Sequence, residues 1–195
     1  LYAEKRGDVQ EEDISNKEYV ELGTELEDFV ARKFVRRFKK DTGQDIKVRR
    51  DRRTFRHPNR DYMVAHIDRR IEGTDELLEC KTCSAWKAHE WEGEDIPQEY
   101  ILQVIWYLGI TGMQKGYIAV LIGGQRFVWK VVHFDATVFS KLVIEAERFM
   151  QMVKDGTPPV AIEGDSPTLF QLYPRATQGS VLDDEKLDRK STRLN

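Results

Sequence analysis

Cysteine is nearly absent, with only Cys80 and Cys83 among 195 residues. Two thiols cannot build a disulfide framework, nor can they supply the four ligands of an iron–sulfur cluster. Long apolar runs are missing too. A stretch such as Tyr117 to Ile122 falls far short of the ~20 residues a membrane-spanning helix needs. No secretory signal opens the chain and no internal repeat is visible. With 40% hydrophobic and 33% charged residues, collagen-like, low-complexity and wholly disordered classes are excluded. A soluble, cytoplasmic globular domain is expected, long enough to bury a core. The chain starts at Leu1 rather than Met, so an upstream segment is expected to be missing. Residues 188–195 (DRKSTRLN) read as a scar from a sequencing adapter, with no part expected in the fold.

The net charge of −3 hides a strong asymmetry. Residues 1–30 carry −7, residues 31–70 carry +10, and the remainder carries −6. A forty-residue block of +10, mostly arginine, attracts a polyanion even on an acidic protein, unless it merely hydrates. Arginine suits phosphate because its planar fork donates two parallel hydrogen bonds.

Leu22, Leu26, Phe29, Val30, Phe34 and Phe38 recur at helical spacing, and Gly43 follows as a stop, which predicts a helix over about 20–41. Three strands are expected next: Ile46 to Phe55, Met63 to Asp68, and Leu77 to Thr82, the last two pairing as an antiparallel hairpin. Residues 84–95 read as a tryptophan-bearing loop. Asp95-Ile-Pro-Gln98 offers an N-cap, a first-turn proline and a capping-box glutamine for a helix to about Thr111. A second hairpin, Tyr117–Ile122 with Phe127–Val132, precedes a helix capped by Asp135 and ending near Lys154. The order predicts an α/β domain with a central mixed β-sheet flanked by helices.

Chemistry concentrates in His66-Ile-Asp68 and Leu78-Glu-Cys-Lys81. Alternate strand residues share a face, so Glu79 and Lys81 point together with Leu77, while Leu78 and Cys80 point away. Asp68 can project beside Glu79. Three charges on an apolar sheet are costly unless solvated, paired or coordinating a metal. Paired carboxylates suit Mg²⁺, and Lys81 would hold an attacking water or offset charge on a phosphate. From spacing alone the signal is weak, and a structural Lys–Glu pair on a half-exposed sheet is the simpler reading.

Asp68, ten intervening residues and Glu79-Cys-Lys81 resemble the core motif of the PD-(D/E)XK nuclease superfamily. Gly23-Thr-Glu-Leu-Glu27, followed by Ala31-Arg32, is similar to the glutamate-bearing helix of its phage exonuclease branch. Pro97-Gln-Glu-Tyr100-Ile-Leu-Gln103 resembles that branch's Tyr-x-x-Gln helix. The run from Glu79 through Trp106-Tyr-Leu is most similar to the YqaJ-type viral recombinases, relatives of lambda exonuclease. This resemblance implies a restriction-endonuclease-like core, with Asp68, Glu79 and Glu27 as metal ligands and Lys81 as the water-positioning or charge-stabilising group. Gln103 would support the site or contact the substrate backbone. Glu25 falls outside the family position. The implied cofactor is Mg²⁺, with Mn²⁺ able to substitute. The implied activity is 5′-to-3′ digestion of duplex DNA bearing a free end, in a bacterial or phage-infected cell. A single-strand annealing protein and a ring trimer are implied partners. The family's Gly/Ser-rich segment upstream of Glu4-Lys-Arg-Gly7 is expected to be missing. A nuclease domain is accordingly expected over residues 1–165, followed by a tail over 166–187. The rival readings are another nuclease on the same core, such as a restriction-like endonuclease, and a DNA-binding module without activity.

The Cys80-x-x-Cys83 pair reads as structural, since a redox pair sits at a helix N-terminus and zinc needs two further ligands. His66 reads as hydrogen-bonded or as an outer partner of Asp68. Trp86 and Trp91 would either stack on a base or anchor the loop, and Trp106 and Trp129 read as core. Arg49, Arg50, Arg52, Arg53 and Arg56 are expected to alternate along one strand, with Arg50, Arg52 and Arg56 on one face tracking phosphates. With Tyr100 on the Tyr-x-x-Gln helix and Trp86 in the loop, Arg50, Arg52 and Arg53 are the expected DNA contacts.

Overall fold

The computed structural model describes residues 1–11 and 13–160. Two compact units are present, Ile14–Ile144 and a second whose described residues lie within Leu1–Asp13 and 145–160. The sequence-predicted tail over 166–187 and the octet 188–195 lie outside the described residues. In the second unit a short helix, α1 (Tyr2–Arg6), stops at Gly7, whose φ of 79° is open to glycine at no steric cost.

The first unit opens with α2 (Glu18–Thr42), close to the helix the apolar spacing predicts. It buries Val30, Phe34 and Phe38, whereas Leu22 and Phe29 stay exposed. The strands follow: β1 (Val48–Arg50), β2 (Phe55–His57), β3 (Arg60–Ala65), β4 (Arg69–Ile71) and β5 (Glu76–Cys83). After the 3-10 helix Ala85–Trp91 come α3 (Gln98–Thr111), β6 (Lys115–Ile122), β7 (Arg126–His133) and α4 (Ala136–Asp155), whose residues from Glu145 are counted with the second unit.

Five strands form one mixed sheet in the order β1-β4-β5-β6-β7. β5 and β6 run parallel and the other neighbours antiparallel, because α3 returns the chain to the start of β6. β6 is apolar on both faces and buried from Gly116 to Ile122, as a central strand requires. One face, with Leu78, Tyr117, Ala119 and Leu121, packs on Val30, Phe34 and Phe38 of α2. The other, with Leu77, Ile118, Val120 and Ile122, packs on Val104, Ile105 and Leu108 of α3. Trp129 packs on the first cluster, edge-to-face with Phe34 and tilted against Phe38, and Trp106 donates to the Val64 carbonyl at 3.0 Å. The expected central mixed sheet flanked by helices is the observed architecture.

Four local expectations are corrected. The strand expected over Ile46–Phe55 breaks at Asp51–Thr54, and its two ends join different sheets. Asp51 accepts hydrogen bonds from the Arg53 backbone N–H and guanidinium, a local turn that competes with strand extension. Arg50, Arg52 and Arg56 therefore do not share a strand face. The partner of β5 is β4, while β3 pairs with β2 instead. The stretch expected as a loop after Cys83 contains a 3-10 helix. Pro97, rather than Asp95, stands at the N-cap of α3, with no side-chain cap. Asp135 does cap α4, accepting from the N–H groups of Thr137 and Val138 at 2.8 and 3.0 Å.

α3 lies so close to α4 that a Cβ on Gly109 would stand 2.2 Å from the Phe139 ring. Gly109→Ala should therefore destabilise the protein by about 1–3 kcal/mol, although alanine favours a helix by about 1 kcal/mol. A thermal melt checks it, and an unchanged or higher Tm would show that Phe139 moves aside freely.

Candidate active site

β5 pairs with β6 along eight residues but with β4 only through Leu77 and Leu78. Beyond Leu78 its β4-facing edge is open, and the site lies in that gap. Asp68, just ahead of β4, comes opposite Glu79 in the same register, and its Oδ2 accepts the Cys80 backbone N–H at 2.8 Å. A cavity of about 270 Å³ results, lined by Glu27, Asp68, Glu79 and Lys81 together with Tyr19 and Gly23. The four charged residues picked out by the motif thus converge on one cavity.

Glu79 is 3% exposed. Its Oε1 takes the Lys81 ammonium at 2.8 Å, and its buried Oε2 has no hydrogen-bond partner among the described residues. Burial, with the Asp68 charge adding to it, pushes the Glu79 carboxyl up to about 7. Burial raises Asp68 too, with the Cys80 N–H opposing and Glu27 reinforcing it. Burial works against the Lys81 ammonium, but Glu79 and Asp68 together outweigh it and its pKa ends raised. The pocket holds more negative charge than its own lysine satisfies. Such a donor set of hard oxygens, with one orphaned buried lone pair, fits a divalent cation.

Glu27 stands differently. Its carboxylate takes the Arg69 guanidinium on one oxygen and Arg50 at 3.5 Å on the other. Among the described residues no three His, Cys, Asp or Glu side chains gather closely enough to hold a metal as they stand. Asp68 and Glu79 are the pair that fits, with Glu27 turned toward the arginines.

Lys81 also lies over the Tyr100 ring, 5.4 Å from its centroid, and Trp91 stacks on that ring at 5.5 Å. Gln103 donates to the Tyr107 hydroxyl at 2.8 Å. Tyr107 is kept protonated by burial and by the Glu79 charge. Trp91 is 1% exposed and anchors the segment after β5, whereas Trp86 is 89% exposed. His66 is exposed and pairs with the Thr54 hydroxyl at 2.9 Å, and it does not line the carboxylate cavity. Arg53 is tied to Asp51. Cys80 and Cys83 are unbridged, and burial pushes both thiols up.

Arg69 was not singled out by sequence reasoning. It is 3% exposed and donates to Glu27, to Asp28 and to the Asp68 carbonyl at 2.8 Å. Its signal is alternation: it sits two residues before the buried Ile71, on a face that should be apolar.

Residues 1–114 match the model of the YqaJ-like viral recombinase domain. The chain belongs to that family. This YqaJ-like chain is 41% identical over 169 residues to the uncharacterized protein YqaJ of Bacillus subtilis strain 168. The match takes in 85% of this chain and 50% of YqaJ, so the chain spans about half the length of that relative. Its fold is similar to that of an alkaline exonuclease from Laribacter hongkongensis, with a TM-score of 0.63 at 20% identity, over 88% of this chain and 82% of that one. A phage-related exonuclease from Haemophilus somnus 129PT is more distant, with a TM-score of 0.50 at 11% identity, over 68% and 70% of the two chains. No helix among the described residues is long and apolar enough to cross a membrane.

Proposed function

We propose that this YqaJ-like chain carries the nuclease centre of a Mg²⁺-dependent exonuclease acting on linear duplex DNA. The observation that carries the reading is the orphaned, buried Glu79 Oε2 beside Asp68, with the Lys81 ammonium on the other oxygen of Glu79. Asp68 and Glu79 would hold the ion, and Mn²⁺ would substitute. A bound Mg²⁺ supplies Lewis-acid polarisation of the phosphodiester and acidifies an attacking water. Lys81, held charged by its carboxylate neighbours, orients that water or offsets charge on the phosphate. The Tyr100 ring, itself stacked on Trp91, lies against the lysine and limits its rotamers. Glu27 orders the wall of the cavity through Arg69 and Arg50, and would reach the metal site only on turning away from those arginines. Gln103 acts from α3 through Tyr107.

The family resemblance extends the proposal to 5′-to-3′ polarity and to release of single strands to an annealing protein, in a ring trimer within the cytoplasm. Arg50, Arg52, Arg53 and Tyr100 are the proposed backbone contacts and Trp86 the proposed stacking residue. Trp86 touches little, so Trp86→Ala should leave Tm unchanged while weakening duplex-end binding about tenfold, as stacking contributes ~1–3 kcal/mol. Equal affinity by fluorescence anisotropy would remove Trp86 from the substrate path.

Digestion of linear 5′-phosphorylated duplex in Mg²⁺ and in EDTA tests the function, with a closed circle and Lys81→Ala as controls. Metal-dependent loss of the linear form alone, with the variant inactive, is the expected result. Cutting of the circle would indicate an endonuclease, and no cleavage by any form would indicate a DNA-binding module.

A further inference from the structure

A second concavity, of about 570 Å³, opens between α2 and β1. Arg32 and Arg36 enter it from α2, one turn apart on the same face, while Lys47 and Arg50 enter from the other side. The register explains Arg50: Val48 pairs with Ile71 and Arg50 with Arg69, so these residues face α2, whereas Arg49 and Arg70 face away. Two carboxylates, Asp28 and Glu72, also line the groove, and Asp28 is already taken by Arg69. Among the described residues, Arg32, Arg36 and Lys47 have no carboxylate within ion-pair distance. Three unpaired cations in one concave surface repel one another unless an anion lies between them.

The groove also adjoins the candidate active site. Arg50 and Arg69 line it, and both pair with Glu27, which lines the carboxylate cavity. A wall of three side chains therefore separates an acidic cavity from a basic groove. Charge on β1 alone would be explained as protection of an exposed sheet edge. That account does not reach Arg32 and Arg36, which belong to a helix.

We infer that this groove is a second phosphate-binding site, which holds the sugar–phosphate backbone of duplex DNA away from the scissile bond. Arginine forks at helical spacing engage neighbouring phosphates, and the apolar floor of Ala31, Val35 and Val48 leaves the charges little else to bind. The inference rests on the nuclease reading for its substrate, though not for its binding measurement.

The test is fluorescence anisotropy with a labelled linear duplex in EDTA, across a salt series, so that nothing is cut. Arg32→Gln and Arg36→Gln should each lower the slope of log K against log salt by about one, and together by about two. Arg36→Lys should restore the slope, and Lys141→Gln on α4 should leave it unchanged. If the double variant melts early, the single variants and Arg36→Lys carry the comparison. An unchanged slope in Arg32→Gln and Arg36→Gln, or an equal loss in Lys141→Gln, overturns the groove. Metal-dependent digestion by the wild type is run in parallel. Digestion with an unchanged slope leaves the nuclease standing without the groove, whereas a lowered slope without digestion leaves the groove standing without the nuclease.

Discussion

Glu79→Gln is expected to lose at least about 10³-fold in metal-dependent cleavage and, in EDTA at pH 8, to melt higher than the wild type. The two effects share one cause. Burial, reinforced by Asp68, raises the Glu79 carboxyl from 4.5 to about 7. The folded chain therefore binds this proton more tightly than the unfolded chain. Its contribution to stability is favourable below pH 4.5, declines as the pH climbs, and is gone above about 7. The whole shift corresponds to about 3 kcal/mol. The attraction of Lys81 is already contained in that shift, so its loss is not a separate cost. Glutamine, which stands in for the neutral carboxyl, should gain up to about 3 kcal/mol at pH 8, or about 6–12 °C in Tm. At pH 4.5 the advantage should vanish, and Mg²⁺ should raise the Tm of the wild type but not of the variant. A variant that melts lower than the wild type at pH 8 would make Glu79 a structural partner of Lys81 and remove the case for a cation there.

The long elements were legible because their apolar periods are clean. α2, α3, β6 and β7 stand within a few residues of where the sequence places them. The Asp68–Glu79–Lys81 arrangement was legible for a related reason, since a strand's period of two fixes which residues meet. What escaped was short or polar. β4 has three residues, two of them arginines, and offers no apolar alternation to read. The break at Asp51 depends on a side chain bonding to the next-but-one backbone N–H, which looks from sequence like one more polar position in an arginine strand. Trp86 and Trp91 could not be separated by composition, yet one is solvent-exposed and the other buried against Tyr100. The pairing of Glu27 with Arg69 and Arg50 joins residues 42 and 23 positions apart, beyond any local pattern.

That same pairing carries the second large effect. Arg69→Ala is expected to destabilise the fold by about 3–5 kcal/mol, lowering Tm by about 10 °C. Arg69 is 3% exposed, and its guanidinium holds Glu27, Asp28 and the Asp68 carbonyl at once. Its desolvation is offset only by those partners. Without it, the Asp68 carbonyl keeps a longer bond from the Asp51 N–H at 3.3 Å. Among the described residues Glu27 then keeps only Arg50, whose side chain is 45% exposed and whose attraction is therefore screened. Arg69→Lys keeps the charge but not the fork, so it should recover only part of the loss. Melting of Glu27→Gln, Arg69→Ala and the double variant separates pairing from packing. If the two side chains act through each other, the double variant should lose less than the sum of the singles, by about 1 kcal/mol or more. Strict additivity would mean that Arg69 stabilises by filling space, and Glu27 would then be free to turn toward the carboxylates without disturbing β4.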